Sequence, residues 1–320
     1  MMKAVQITGV KAAYKIVLTN ALPKPVPKGS DILIKVHAAG ITADEVTWSE
    51  LYDSSTRVPG HDISGVVEAL GPEYNGPIVA GNSVYAMLDA ATGQGGQAEY
   101  VTAKADEIAL KPTSISHAEA AALPIPVLTA WEAIFEKAKL ERGSKILVTG
   151  ASGAVGIMLV QLAHHILGAE VIGLASAKNY ARLLELGASR VIDYNSNNWE
   201  ETIKGVDAVF DTVGNSTLAK AWHTVKSDGI IVTVADPPPP WAFGMGKPEE
   251  LLTHPKVRWD YFVVKARGDT LSKAATLLET GPVKPLPIKA FGVADALEAW
   301  KFAAQRGRDG KVVIKFVAGE

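Results

Sequence analysis

The chain has 320 residues, 48% of them apolar and 21% charged, with a formal net charge of −2 and no cysteine. That length suggests about two globular domains. The interspersed charges leave out a nucleic-acid-binding block and an acidic tail, and the missing thiols leave out a disulfide framework and every cysteine-based metal site.

The first 120 residues read as β-rich. Short β-branched runs (MKAVQITG, YKIVLTN, DILIKVHAAGI, HDISGVVEAL, NSVYAML, QAEYVTA) are punctuated by Gly, Pro and Asn, which predicts an irregular barrel or sandwich. Near residue 117 the text changes. SHAEAAALPIPVLTAWEAIFEKAKL has helical spacing through Trp131, Ile134, Phe135 and Ala138, with Ser116 as an N-cap and prolines 124 and 126 expected to break or kink it. A strict alternation follows: strand SKILVTG, helix AVGIMLVQLAHHILG, strand EVIGLA, helix KNYARLLELG, strand RVIDY, then NWEETIKG, strand VDAVFDTV, helix STLAKAWHTV, turn KSDG and strand IIVTVA. Apolar strands alternating with helices predict an α/β unit with a doubly wound parallel sheet, and Gly168 and Gly187 fit positions just past helix ends.

DPPPPWAFGMGKPEE (236–250) reads as a surface loop leaving the carboxyl end of a strand, where open sheets bind ligands. VRWDYFVVKA is the candidate last strand. From about 268 the remaining helix, helix and strand are too small for a core of their own and are expected to pack on the first domain. The division is therefore 1–120 plus 268–320, with a nucleotide-binding unit at 121–267. No run of 18 apolar residues is present, and the N-terminus lacks a signal-peptide pattern, so a cytoplasmic location is expected.

Gly150, Gly153 and Gly156 follow a clear strand and open a clear helix. Small residues there let the chain turn tightly and bring backbone amides to a pyrophosphate, with the helix N-terminus adding partial positive charge. NAD binders place Asp or Glu at the end of the second strand to hold the ribose 2′-OH. Here that strand is followed by Ser176, Ala177 and Lys178, with Arg182 one turn on, and Glu170 lies at the opposite end. A hydroxyl and an ammonium hold a 2′-phosphate that a carboxylate would repel, so NADPH is the expected cofactor.

His61, in PGHDISG, raises the question of a metal. Seven histidines are scattered with no His-x-x-x-His spacing; adjacent His164 and His165 diverge by about 100° on a helix. No metal is expected.

The motifs MKAVQI, AAGITADEVTW, VPGHDISGVVEALG, AALPIPVLTAWEAI, ILVTGASGAVG, LGASRVIDYN and GKVVIKF, in that order, make the chain resemble the medium-chain dehydrogenase/reductase superfamily, in its zinc-independent quinone oxidoreductase and enoyl reductase branch. The resemblance covers nearly the whole chain. It implies a GroES-like β domain plus a Rossmann domain, with the active site in a cleft between them. Zinc-dependent relatives carry Gly-His-Glu and cysteine ligands; this chain has Asp62 after His61, Thr42 in the region of the first cysteine, and Pro124-Ile125-Pro126 at the last. By the resemblance His61 is a remnant, or else a substrate-cleft residue. Thr129 would sit near the nicotinamide, and Ser152, Gly153, Ala154 and Val155 would offer backbone to the pyrophosphate. Ser176, Lys178 and Tyr194 would surround the 2′-phosphate, while Val213, Val234 and Ala235 would flank the ribose and nicotinamide. Arg306 and Arg308 are read as solvated tail charges, with a reach into the cleft as the alternative.

The implied activity is an NADPH-dependent, metal-independent reduction of an activated C=C or a quinone. Without a Lewis acid, charge building on the substrate carbonyl needs a donor such as the Thr42 hydroxyl or a backbone N–H. The proton comes from water or a tyrosine, for which Tyr52 has the place of the enoyl reductases' donor. Many quinone reductases have Asn where this chain has Thr42. A trans-acting enoyl reductase serving a polyketide synthase and a non-catalytic NADPH-binding protein stay open as alternatives, as does a homodimer. The substrate-lining loops are expected at 47–57 and 236–250.

Overall fold

The computed structural model describes residues 1–48, 52–90, 94–196 and 198–317. The chain forms two compact units, one of residues 1–128, 265–281 and 285–320, the other of 129–264 with 282–284.

The first unit is built on β1 (Met2–Thr8), β2 (Lys15–Leu22), β3 (Ile32–Gly40), β4 (Thr56–Arg57), β5 (Asp62–Leu70), β6 (Ser83–Met87), β7 (Tyr100–Ala103) and β8 (Ile108–Leu110). Two short helices follow, α1 (His117–Ala120) and α2 (Pro124–Trp131). Strands β2, β1 and β4 form a small antiparallel sheet. The larger sheet of this unit runs through β3, β5, β6 and β8, with β7 also paired to β3. Its core is aliphatic: Ile32, Ile34, Ile63, Val67, Val84 and Val101 are all buried.

The 117–138 segment breaks just before its prolines, as the sequence predicts, and resumes as a second helix. Ser116 and Glu119 close α1 with a reciprocal capping box. The chain turns over 121–123, and Pro124 then starts α2. Proline at a first helical position gives up an amide that has no intrahelical partner in any case. Pro126 also falls in that first turn, and the one remaining amide, that of Ile125, donates to Asp62 Oδ1 at 2.7 Å. The prolines therefore begin a helix. Beyond Trp131 it widens into a π-helical stretch, Glu132–Ala138, closed by left-handed Lys139.

The second unit contains β9 (Lys145–Val148), α3 (Ala154–Leu167), β10 (Glu170–Leu174), α4 (Tyr180–Glu185), β11 (Arg190–Ile192), α5 (Trp199–Thr202), β12 (Val206–Asp211), α6 (Asn215–Ala221), β13 (Val225–Thr233) and β14 (Arg258–Tyr261). All six strands are parallel, in the order β11-β10-β9-β12-β13-β14. That is the 3-2-1-4-5-6 Rossmann order, with the switch point between β9 and β12. KSDG, read as a turn, lies inside β13: Lys226, Ser227 and Asp228 are exposed and the β12 register shifts between Val206 and Ala208, so a polar bulged entry precedes the buried run Gly229–Thr233.

The chain closes with α7 (Gly268–Glu279), β15 (Ile288–Gly292), α8 (Ala296–Ala303) and β16 (Lys311–Lys315). β16 pairs antiparallel with β3 and parallel with β15, and Trp300, Val312 and Ile314 share a core with Val5, Ile7 and Ile41. Among the described residues no helix is long and apolar enough to cross a membrane.

Candidate functional site

In the parallel-sheet unit the chain leaves β9 through Thr149 and Gly150. Gly150 has φ +61°, and a Cβ on it would meet Thr212 Oγ1 at 2.3 Å; a Cβ on Gly156 would meet the Gly150 carbonyl oxygen at the same distance. Only glycine closes this turn. Gly153 is the N-cap of α3 and contributes no side-chain cap, so the first-turn amides of a 14-residue helix are left for a ligand. Ser152, Ala154 and Val155 are half-buried and Gly153 is exposed. This backbone cradle fits a pyrophosphate.

One buried carboxylate ties the strand ends around it. Asp211, the last residue of β12, accepts the hydroxyls of Thr149 at 2.6 Å and Thr233 at 2.7 Å, and the Gly214 amide at 3.0 Å. Thr212 returns a hydroxyl bond to the Thr149 carbonyl at 2.9 Å. The ends of β9, β12 and β13 are thus fastened at one residue. Val213 and Val234–Ala235 leave from this knot; Val213 is 44% exposed, Val234 half-buried and Ala235 buried. Thr129, on α2, is buried.

Ala175 donates its amide to the Ile192 carbonyl at 3.1 Å, so the ends of β10 and β11 lie side by side. Ser176 follows β10 and its hydroxyl accepts from Asn179 Nδ2 at 3.0 Å. Lys178 and Arg182 are exposed, and Tyr194, just past β11, is 53% exposed. No carboxylate ends β10. Asp193 follows β11, where it accepts the backbone and side-chain N–H groups of Asn195, both at 2.9 Å. Burial, then the Asp193 charge, hold the Tyr180 phenol above its ordinary pKa.

The β-rich unit carries a buried polar network that the sequence reading saw only in part. Glu45 is fully buried on a 3-10 turn (Ala43–Thr47); its Oε1 accepts the Gly60 amide at 2.8 Å and lies 3.3 Å from His61 Nε2. His61 is 1% exposed, with Trp48 stacked on it at 5.8 Å between ring centroids. Burial acts to lower the His61 pKa; the Glu45 carboxylate, with Asp62 and the Leu88 backbone, more than offsets this, and the imidazole titrates above its ordinary value. Next to it Asp62 Oδ2 lies 3.2 Å from Lys311 Nζ, which also donates to Thr42 Oγ1 at 3.0 Å. Burial pushes the Asp62 carboxyl up against the pull of Lys311 and the Ile125 amide.

Thr42, His61 and the Pro124–Pro126 helix start are therefore brought together by one network. Tyr52 belongs to a neighbouring cluster: its hydroxyl donates to the Val46 carbonyl at 2.7 Å and Arg57 lies 3.6 Å over its ring. Burial raises its pKa, with Arg57 opposing. Of the predicted 47–57 loop, residues 49–51 lie outside the described residues. Arg306 is exposed; Arg308 is half-buried and donates to the Gln305 carbonyl at 3.0 Å. The residues that sequence reasoning missed are Glu45, Lys311 and Asp211. Glu45 sits sixteen positions before His61 with no shared motif, Lys311 comes from the last strand, and only Asp211, in DTVG beside Val213, which the sequence reading expected to flank the cofactor, had a local signal.

A zinc ion does not fit this donor set. The chain has no thiol, the Lys311 ammonium sits within the network beside Asp62, and His61 faces Glu45. Among the described residues no group of three His, Asp or Glu has metal-holding geometry.

The alcohol dehydrogenase GroES-like domain family matches residues 28–113, and the zinc-binding dehydrogenase family matches 186–314. A 2-methylene-furan-3-one reductase of Solanum lycopersicum is 33% identical over 98% of this chain and 79% of its own length. The chloroplastic NADPH-dependent alkenal/one oxidoreductase of Arabidopsis thaliana is 31% identical over 93% of this chain and 75% of its own. Among solved structures, the quinone oxidoreductase from Coxiella burnetii superposes with a TM-score of 0.85 at 28% identity, covering 99% of both chains. With the Rossmann strand order, the glycine cradle and the GroES-like β unit, these likenesses make the chain a member of the medium-chain dehydrogenase/reductase oxidoreductases, in the quinone oxidoreductase and enoyl reductase branch.

Proposed function

We propose that the chain is an NADPH-dependent reductase of an activated C=C or a quinone, and that it works without a metal. NADPH, when bound, supplies a hydride for the β-carbon of an enone or enal. The glycine cradle of residues 150–156 binds the pyrophosphate, and Ser176, Lys178 and Tyr194 receive the 2′-phosphate. Thr129, Val213, Val234 and Ala235 hold the nicotinamide end. The Thr42 hydroxyl donates to the substrate carbonyl as negative charge builds there. The α-carbon takes its proton from water or from Tyr52, which would first release the Val46 carbonyl.

The observation that carries this reading is the pairing of an acid-free β10 end beside a lysine with a metal-unfit, hydroxyl-bearing network in the β-rich unit. The names of the tomato and Arabidopsis relatives point the same way. A small-molecule carbonyl substrate and a cytoplasmic location go with it, the latter supported by composition alone. The test is steady-state oxidation of NADPH and of NADH, side by side, with simple enones, enals, exocyclic-methylene furanones and quinones, with and without a chelator. We expect turnover with NADPH, weaker turnover with NADH and indifference to chelation. No turnover on any of these classes, or a preference for NADH, would overturn it.

A further inference from the structure

Thr42 stands at the N-cap position of the Ala43–Thr47 turn, where a threonine ordinarily folds its hydroxyl back onto its own helix. Here the hydroxyl makes no cap bond. It faces Lys311 Nζ at 3.0 Å instead. An ammonium is a donor only, so Thr42 Oγ1 must be the acceptor. Its single proton is left to point elsewhere, and among the described residues nothing accepts it. Thr42 is partly exposed, whereas the lysine side chain is 6% exposed.

Lys311 is held there by construction. It is the first residue of β16 and follows Gly310, whose φ is +86° and on which a Cβ would come within 2.8 Å of the Pro287 carbonyl oxygen. Lys311 also forms an ion pair with Asp62 Oδ2 at 3.2 Å, and the other oxygen of that carboxylate is pinned by the Ile125 amide at 2.7 Å. A buried cation is tolerated when so paired. A hydroxyl that accepts from a cation is polarised and donates more strongly.

We propose that Lys311, held by Asp62, is a positioning residue that fixes the Thr42 hydroxyl as a dedicated donor to a carbonyl oxygen gaining negative charge. This rests on the reductase reading of the same site. Lys311 touches Thr42 and not the substrate, so its removal should lower turnover while leaving substrate affinity nearly unchanged.

The experiment compares Lys311→Met, Lys311→Arg, Thr42→Val and the Thr42→Val/Lys311→Met double variant with wild type, at saturating NADPH and varied enone. Thr42→Val should lower kcat about 100-fold, the loss typical of one removed oxyanion donor. Lys311→Met should lower kcat by a similar factor at near-constant KM. The double variant should be no worse than either single one, and Lys311→Arg should recover part of the rate. Should Lys311→Met fail to fold, Asp62→Leu/Lys311→Met removes both charges together, and the same kcat loss is expected. If Thr42→Val loses rate and Lys311→Met does not, or if the two losses multiply in the double variant, the proposal falls and the reductase reading stands. If Thr42→Val has no effect on a working enzyme, the proposal falls together with the role assigned to Thr42. A wild type inert toward every enone removes both.

Discussion

Glu45 shows how one buried side chain sets the state of another. Its carboxylate raises the His61 pKa in the folded protein. Stability from this pair is therefore fully present below the unfolded histidine value of about 6.5 and is lost as pH rises through the higher folded value. Glu45→Gln should cost about 3 kcal/mol near pH 6, the cost of breaking a buried pair, and distinctly less at an alkaline pH above the raised His61 value, where the imidazole is neutral. Urea unfolding at the two pH values measures the difference; an equal cost at both would show that His61 is not charged in the native state. His61 itself was visible in the sequence because Gly-His-acid is a local pattern. Glu45 was not, because an acid between Ala43-Asp44 and Val46-Thr47 looks like an exposed turn until the fold buries it. The same holds for Lys311, whose GKVVIKF context reads as a strand edge.

The carboxyl ends of β9, β12 and β13 meet on Asp211, and their geometry depends on a group that only accepts. Its two oxygens take the Thr149 and Thr233 hydroxyls and the amides of Val213 and Gly214. Asp211→Asn keeps the shape but turns one acceptor into a donor facing a hydroxyl or an amide, so a buried bond is lost and a donor left unpaired. The expected cost is about 2 kcal/mol in stability, with weaker binding of the proposed NADPH because both the glycine turn and the Val213–Gly214 turn move; urea titration and fluorescence titration with NADPH read the two effects. The alternation of strands and helices that builds this sheet was legible, since period and punctuation are local. The break of the 117–138 helix at its prolines was legible too; that Pro124 opens a second helix there was not, because nothing within the chain segment shows that Asp62 takes the Ile125 amide. KSDG was misjudged for a related reason: its turn-like composition reflects exposure at a strand entry, not a reversal of the chain.

Across the molecule, stability is unevenly distributed. The strands of both units are packed in apolar cores, while the stretch after β13 holds Phe243 at 65%, Met245 at 70% and Leu252 at 91% exposure, with Phe243 in left-handed backbone at φ 56°. Few buried contacts and a strained non-glycine residue make this the low end of local stability. Limited chymotrypsin digestion should cut first within 243–252, and mass spectrometry of the fragments checks it; a first cut in β9 or β12 would contradict it. One more property of the whole chain bears on the proposed chemistry. Conjugated carbonyls are electrophiles that add to thiolates, the most nucleophilic side chains near neutral pH. Under the proposed activity, a chain with no thiol at any of its positions offers such a compound no thiolate to alkylate and leaves only the slower addition to histidine and lysine side chains.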